Sequence, residues 1–187
     1  MKKITLSSLA IAAMLSFTAC NSNKTEDSTE VAEEQNDAKL DDTKIEDDAE
    51  FAVAAADGGM MEVKLGDLAQ TNAAAAEVKK FGKTMSTDHA KANEELIALA
   101  QQKNITLPTA LSDDKQKKYD DLAKKTGADF DKAYIDFMVE DHKEDIKEFE
   151  EAASDAKDAE VKAWAASKVP TLKHHLEMAQ TIHDARK

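Results

Sequence analysis

An apolar stripe with the period of an α-helix runs through residues 130–149 and strongly limits what this chain can fold into. Its large apolar residues recur every three or four positions, as they do on one face of a long helix. They are Phe130, Tyr134, Phe137, Met138, Ile146 and Phe149. Asp141 and His142 occupy the middle of this face, where core residues are expected. The segment therefore predicts a long amphipathic helix with a polar break at its centre.

Three other segments repeat this pattern, and little in the chain would interrupt them. Only five Gly and two Pro occur among 187 residues, which favours long helices over a β-rich fold. We predict long helices at about residues 47–72, 74–103, 128–153 and 158–187, with a shorter helix at about residues 112–125. Two short turns and one long connection join the long helices. The pattern therefore predicts an all-α fold, a four-helix bundle with a short extra helix in the connection between helices 2 and 3.

The first 20 residues have the pattern of a bacterial export signal. Lys2 and Lys3 precede a short apolar run, and small residues lead to Cys20, the lone cysteine of the chain. This predicts a lipoprotein signal peptide over residues 1–19 and acylation of Cys20 after cleavage. Phe17 stands where leucine is usual in such a cleavage site, and an ordinary signal peptide with an incidental cysteine is the alternative. Acylation would anchor the protein to the bacterial outer membrane, facing the periplasm or the cell surface.

Residues 20–46 are polar and acidic and contain almost no large apolar side chain. Such a segment buries too little surface to offset the entropy of ordering it, so we predict a disordered tether here and a helical domain over residues 47–187. The formal net charge of −13 argues against binding to nucleic acid, which needs a surplus of lysine and arginine. Contact with the membrane is accordingly assigned to acyl chains on Cys20 rather than to charge.

Each predicted long helix carries one polar residue near the middle of its apolar face, namely Glu62, His89, His142 and His175. Midpoints of antiparallel helices of similar length lie at one height, so these side chains are expected to meet inside the bundle. Three neutral imidazoles and a carboxylate suit one transition metal ion such as zinc, copper, iron or manganese. The alternative is a structural polar network, in which the histidines are hydrogen-bonded to Glu62 or Asp88 and fix the helix register.

Other residues flank this predicted layer. Asp88 and Asp141 each precede a histidine of the layer, and each is a candidate to orient the imidazole from behind or to point inward itself. Met85, Met138 and Met178 come within one turn of the histidines, and they would lie on one side of the layer if helices 2 and 3 run parallel. Thioethers favour copper(I), but methionine also fills gaps in helical cores, and core packing is the preferred interpretation.

A set of motifs occurs in fixed order along the chain: Glu62, residues 85–89 (MSTDH), Phe130 with Asp131, Tyr134, Asp141 with His142, and His174 with His175. With these motifs the chain, over about residues 50–182, resembles the bacterial envelope family known as domain of unknown function 4142. Members of that family are often described as outer membrane proteins. The resemblance implies a ferritin-like four-helix bundle, and it implies no established activity.

The function favoured by the sequence is non-catalytic: an exported, lipid-anchored envelope protein that acts as a binding or stress-related helical bundle. The alternative is a metal-binding bundle with a copper, zinc or iron site at the centre of the four helices. Di-iron proteins of the ferritin type carry Glu-x-x-His motifs. Ser86, Val139 and Leu172 stand three residues before the layer histidines here, which argues against ferroxidase chemistry.

Overall fold

The computed structural model describes residues 26–40 and 43–186, and the regular structure of these residues is helical. Six α-helices follow in order: α1 (Ser28–Leu40), α2 (Glu46–Asn72), α3 (Ala76–Lys103), α4 (Asp113–Ala123), α5 (Gly127–Asp155) and α6 (Ala159–Asp184). The described residues form no β-strand, only an isolated parallel bridge between Ala73 and Gly127. The all-α prediction is confirmed for this part of the chain, whereas the predicted signal peptide, residues 1–19, and Cys20 lie outside it. None of these six helices is both long and apolar enough to cross a membrane.

The four long helices, α2, α3, α5 and α6, form two antiparallel pairs. α2 packs along α3 and α5 packs along α6, each pair joined by a short connection, residues 73–75 and 156–158. α2 also contacts α5, and α3 contacts α6, so that both helices of one pair meet the other pair. A helix of this length spans about 40 Å at 1.5 Å per residue. Polar residues near the helix midpoints therefore come to similar heights.

The connection between α3 and α5 crosses the molecule from one end to the other. It leaves α3 at Ile105, which packs with Leu40 in an apolar cluster at that end. It reaches α5 at Gly127, which lies beside Ala73 at the opposite end, where α3 begins. α3 and α5 therefore run parallel. α4 lies within this connection, as the sequence predicts, and packs against α2 and α5.

The two short turns are closed by carboxylates that reach across from the other helix pair. Asp131 of α5 accepts hydrogen bonds from both N–H groups of residues 74–75, each at 3.0 Å. Asp48 of α2 accepts hydrogen bonds from the N–H groups of residues 157–158, at 2.9 and 2.6 Å. Both carboxylates are buried. Because N–H groups at helix starts lack partners within the helix, these charge-assisted bonds fix one pair against the other.

Glycine lets α2 and α3 approach closely on either side of Glu62. A β-carbon built on Gly66 would lie 2.5 Å from the carbonyl oxygen of Gly82, and one built on Gly59 would lie 2.1 Å from the side-chain oxygen of Asn93. At Gly66 the neighbour is backbone that cannot move aside, so only glycine fits there. The close approach brings the Glu62 carboxylate within reach of the side chains of α3.

The structure corrects the predicted boundary between tether and domain. The sequence predicts a disordered tether over residues 20–46, but Ser28–Leu40 forms helix α1, which packs on α2. The carboxamide of Asn36 is buried, donates to the carbonyl oxygen of Thr106 at 2.9 Å and accepts from the Thr106 N–H at 2.6 Å. Ala32, one turn earlier, is buried on the same face. A few specific contacts thus order a segment whose composition alone predicts disorder.

Candidate metal centre

The four predicted side chains meet at the middle of the long helices. Glu62 comes from α2, His89 from α3, His142 from α5 and His175 from α6, and each is at most 7% exposed. The imidazole centroids lie 5.3, 5.5 and 5.8 Å apart, so the three rings form a compact triangle. A carboxylate oxygen of Glu62 accepts a hydrogen bond from Nδ1 of His89 at 2.7 Å. One level of the interior therefore holds three imidazoles and one carboxylate.

One nitrogen of each imidazole is hydrogen-bonded to the surrounding protein. In His89 the bonded atom is Nδ1, which donates to Glu62. In His142 it is also Nδ1, which donates to the carbonyl oxygen of Met138 at 3.1 Å. In His175 it is Nε2, which donates to the carboxylate of Asp88 at 3.0 Å. Carbonyl and carboxylate oxygens are acceptors, so the bonded nitrogen carries the proton of each neutral ring.

The other nitrogen of each ring has no hydrogen-bond partner. These atoms are Nε2 of His89, Nε2 of His142 and Nδ1 of His175. Each ring offers a nitrogen within 4.8 Å of a nitrogen of the other two. A ring protonated on one nitrogen has a lone pair on the other, and metal-bound histidines are held in this way, with the second nitrogen donating to the protein. Each ring therefore has a lone pair available for a cation.

Burial keeps these imidazoles neutral. It lowers the pKa of His89 from 6.5 to about 4, and it lowers the pKa of His142 well below its usual range. The pKa of His175 is also lowered, chiefly by burial, although the hydrogen bond to Asp88 opposes the shift. A metal ion binds only deprotonated imidazole, so the ligands are in the required state at neutral pH.

A second group of potential ligands adjoins the triangle. Glu62, Asp141, His142 and Asp145 each offer a donor atom, and these four atoms lie within 4.8 Å of one another. Burial raises the pKa of Asp141 to about 6 and, with repulsion from neighbouring carboxylates, raises the pKa values of Glu62 and Asp145 well above their usual range. Asp141 is one of the predicted flanking residues, whereas Asp145, one helical turn later on α5, is not predicted from the sequence.

The predicted flanking residues take different places. Asp88 is 44% exposed and holds His175 from the solvent side. Met85 and Met138 are fully buried in the apolar cluster that fills one half of the interior, and Met178 packs against that cluster. Because α3 and α5 run parallel, the three methionines lie on the same side of the histidine triangle, where they fill the core.

An acidic cleft of about 510 Å³ reaches the centre from the surface. Glu62, Asp141 and Asp145 line it, and α1 and α4 contribute further carboxylates. Among the lysines and arginines of the described residues, Lys115 alone lines this cleft. A concave surface with this excess of negative charge attracts cations and gives them a path to the buried ligands.

Comparison with known proteins identifies a family and one similar fold. The sequence model of a family described as domain of unknown function (DUF4142) matches residues 29–182. No curated protein matches the chain. A solved structure from Streptomyces coelicolor, described as a proposed secreted protein of type DUF305, is similar with a TM-score of 0.59 and 15% sequence identity. The similarity covers 71% of this chain and 88% of the other, and at this identity it concerns the fold alone.

Proposed function

The chain belongs to the family described as domain of unknown function (DUF4142), and on that premise we propose that it is a non-catalytic protein that binds one transition metal ion. The ion would be held at the centre of the four long helices by His89, His142 and His175, with Glu62 beside them. This function combines the non-catalytic binding role that the sequence favours with the metal site that it offers as the alternative.

Three buried lone pairs carry this proposal. Nε2 of His89, Nε2 of His142 and Nδ1 of His175 are buried together, and none of them has a donor to bind. Buried polar atoms in folded proteins nearly always have partners, and an unsatisfied one costs about 1–3 kcal/mol. A cation among the three lone pairs would satisfy all three nitrogens at once.

A purely structural network accounts less well for the same atoms. The hydrogen bonds of His89 to Glu62 and of His175 to Asp88 are those of such a network, but with the bond of His142 to the Met138 carbonyl group they leave one nitrogen of each ring without a partner. The three rings are thereby oriented without being bonded to one another. Outward hydrogen bonds that fix the tautomer and the direction of an imidazole are the usual support of a metal ligand.

The donor set suits zinc or copper best. Imidazole nitrogens favour these ions over Mg²⁺ and Ca²⁺, which prefer oxygen. Two ligand atoms that each lie about 2.1 Å from one ion are roughly 3–4 Å apart. The imidazole nitrogens lie within 4.8 Å of one another, so the rings would move closer together when an ion binds. Glu62 lies beside the rings, since its Oε2 accepts the hydrogen bond from His89 and its Oε1 lies 3.5 Å from Nε2 of His142.

We also propose that the protein is exported, lipid-anchored through Cys20, and built as a ferritin-like bundle. The signal pattern of residues 1–19 supports export, and the description of the DUF305 protein as secreted agrees with it. Two antiparallel helix pairs and a lengthwise connection support the ferritin-like topology. An envelope protein of this kind would sequester or deliver metal ions.

Metal titration of the full chain, purified without a histidine tag, tests the metal centre. Calorimetry and elemental analysis with Zn(II), Cu(I), Cu(II), Fe(II) and Mn(II) should find one tightly bound ion per chain for zinc or copper. His89→Ala and His175→Ala should lose that ion. His174→Ala is the matched control, because His174 is adjacent in sequence but 67% exposed, and it should bind like the wild type. Equal binding of zinc and copper by the wild type and His175→Ala would refute the proposal.

A further inference from the structure

We propose that the centre contains a second cation position, formed by the carboxylates of Glu62, Asp141 and Asp145 and suited to an oxygen-preferring divalent ion such as Mn(II). This inference rests on the proposed function, since Glu62 lies beside both positions. It adds an ion of different ligand chemistry to the one that the histidines hold.

The carboxylates converge from two helices. Asp141 and Asp145 are one turn apart on α5 and share a helix face, and Glu62 approaches them from α2. One carboxylate oxygen of each of these three residues and one ring nitrogen of His142 lie within 4.8 Å of one another. The Glu62 side chain is only 3% exposed, and its Oε1 has no hydrogen-bond partner. A buried, unpartnered carboxylate oxygen beside two further carboxylates has the surroundings of a cation ligand.

The charges around this group do not neutralise it. Among the lysines and arginines of the described residues, Lys115 alone lines the same cleft. Glu144 and Glu148 line the cleft as well and add negative charge. A divalent ion would supply the positive charge that one lysine does not.

His142 separates the two positions. Nδ1 of His142 donates its proton to the Met138 carbonyl group, so the one available lone pair of the ring is on Nε2. That lone pair can bind one ion and not two. When the histidines hold a transition metal, the second ion relies on the three carboxylates and on water. Asp145 is partly exposed and lines the cleft, which gives water access to the ion. Carboxylate and water oxygens suit Mn(II), Mg(II) or Ca(II), and this position then has no free nitrogen that would favour zinc or copper.

Mn(II) is the probe that tests the second position. The full chain, loaded with one equivalent of Zn(II), is titrated with Mn(II), and electron paramagnetic resonance measures the free ion. The wild type should bind one Mn(II) in addition to Zn(II). Asp145→Asn should weaken Mn(II) binding about tenfold or more and leave Zn(II) binding unchanged. Glu144→Gln, which alters a carboxylate of the same cleft outside the group, should change neither.

His175→Ala separates this inference from the proposed function. The variant should lose Zn(II) and retain Mn(II), because His175 contributes to the histidine triangle alone. A wild type that binds Mn(II) but no Zn(II) would refute the histidine site and leave the carboxylate position in place. The second position is overturned if the wild type binds no Mn(II), if Zn(II) displaces Mn(II) one for one, or if Asp145→Asn binds Mn(II) as the wild type does.

Discussion

His175 and Asp88 link α6 to α3 through a hydrogen bond of 3.0 Å between Nε2 and a carboxylate oxygen. The imidazole is 1% exposed and the carboxylate 44% exposed, so the bond joins the interior of the protein to its surface. It decides which nitrogen of His175 is protonated and leaves the other nitrogen for the triangle with His89 and His142. An exposed residue thereby orients a buried one.

Removal of the Asp88 carboxylate should weaken metal binding without unfolding the protein. In Asp88→Ala the His175 ring can rotate and change tautomer, and loss of such a partner typically lowers metal affinity about 10–100-fold. Calorimetric titration with Zn(II) measures the change. Glu94→Gln alters another exposed carboxyl group of α3 and should leave the affinity as it is. Wild-type affinity in Asp88→Ala would mean that packing alone orients the ring.

The stability of the metal-free protein should depend on Asp141 and on pH. Burial raises the pKa of Asp141 from 3.8 to about 6, so the folded state binds this proton more tightly than the unfolded state does. Ionisation of the buried Asp141 therefore destabilises the folded state, and this free-energy cost is fully present above about pH 6 and disappears as the pH falls to about 3.8. Asp141→Asn should therefore raise the free energy of unfolding by about 1–3 kcal/mol near neutral pH and by little near pH 4.

His89 should have the opposite pH dependence. Its pKa falls from 6.5 to about 4 on folding, so the unfolded state binds the proton more tightly, and stability is lost as the pH falls between these values. The two effects oppose each other in the wild type. Asp141→Asn should lose stability more steeply in acid, and His89→Gln less steeply, in urea unfolding with a chelator present. Identical pH profiles for the three proteins would contradict both shifts.

Gly66→Ala and Gly58→Ala should change stability in opposite directions. The new β-carbon at Gly66 would meet the carbonyl oxygen of Gly82 at 2.5 Å, so α2 and α3 must separate, at a cost of about 1–3 kcal/mol. Gly58 has no atom within 4 Å of a built β-carbon, and glycine to alanine in a helix interior stabilises by about 0.5–1 kcal/mol. Chemical unfolding of both variants measures the difference, and destabilisation of equal size would contradict the close crossing.

Asn36→Ala should release α1 from the domain. The variant loses two hydrogen bonds to the backbone of Thr106 and leaves those partly buried groups unpaired, at a cost of about 1–3 kcal/mol. Asp37→Ala changes an exposed neighbour on α1 and should stay within about 0.5 kcal/mol of the wild type. Limited proteolysis should cut α1 faster in Asn36→Ala alone. Equal cleavage rates in both variants would show that other contacts hold the helix.

The long helices and their central layer could be predicted from periodicity. The predicted segment 74–103 corresponds to Ala76–Lys103 and the segment 128–153 to Gly127–Asp155, because few glycines or prolines obscure the pattern. Because the long helices have similar lengths, their midpoints lie at one height, and the polar residue at each midpoint identifies Glu62 and the three histidines. The predicted membership in the family of unknown function 4142 is confirmed by the family match over residues 29–182.

The parts that were missed depend on contacts between distant segments. α1 is ordered by Asn36 and Thr106, which lie 70 residues apart, and no local pattern reports such a pairing. Asp145 has the spacing of an outward residue, and its approach to Glu62 depends on how α2 and α5 are rotated against each other. The free nitrogen of His142 is selected by the Met138 carbonyl group, a backbone atom that spacing arguments do not consider.

The division of the chain into two antiparallel pairs has a consequence for how the centre opens. Glu62 and His89 belong to the α2–α3 hairpin, and His142 and His175 belong to the α5–α6 hairpin. Each hairpin alone carries half of the ligands. An ion bound to both would add its binding free energy to the docking of one hairpin on the other, and little to helix formation within either. Release of the ion and separation of the hairpins would then be one kinetic event.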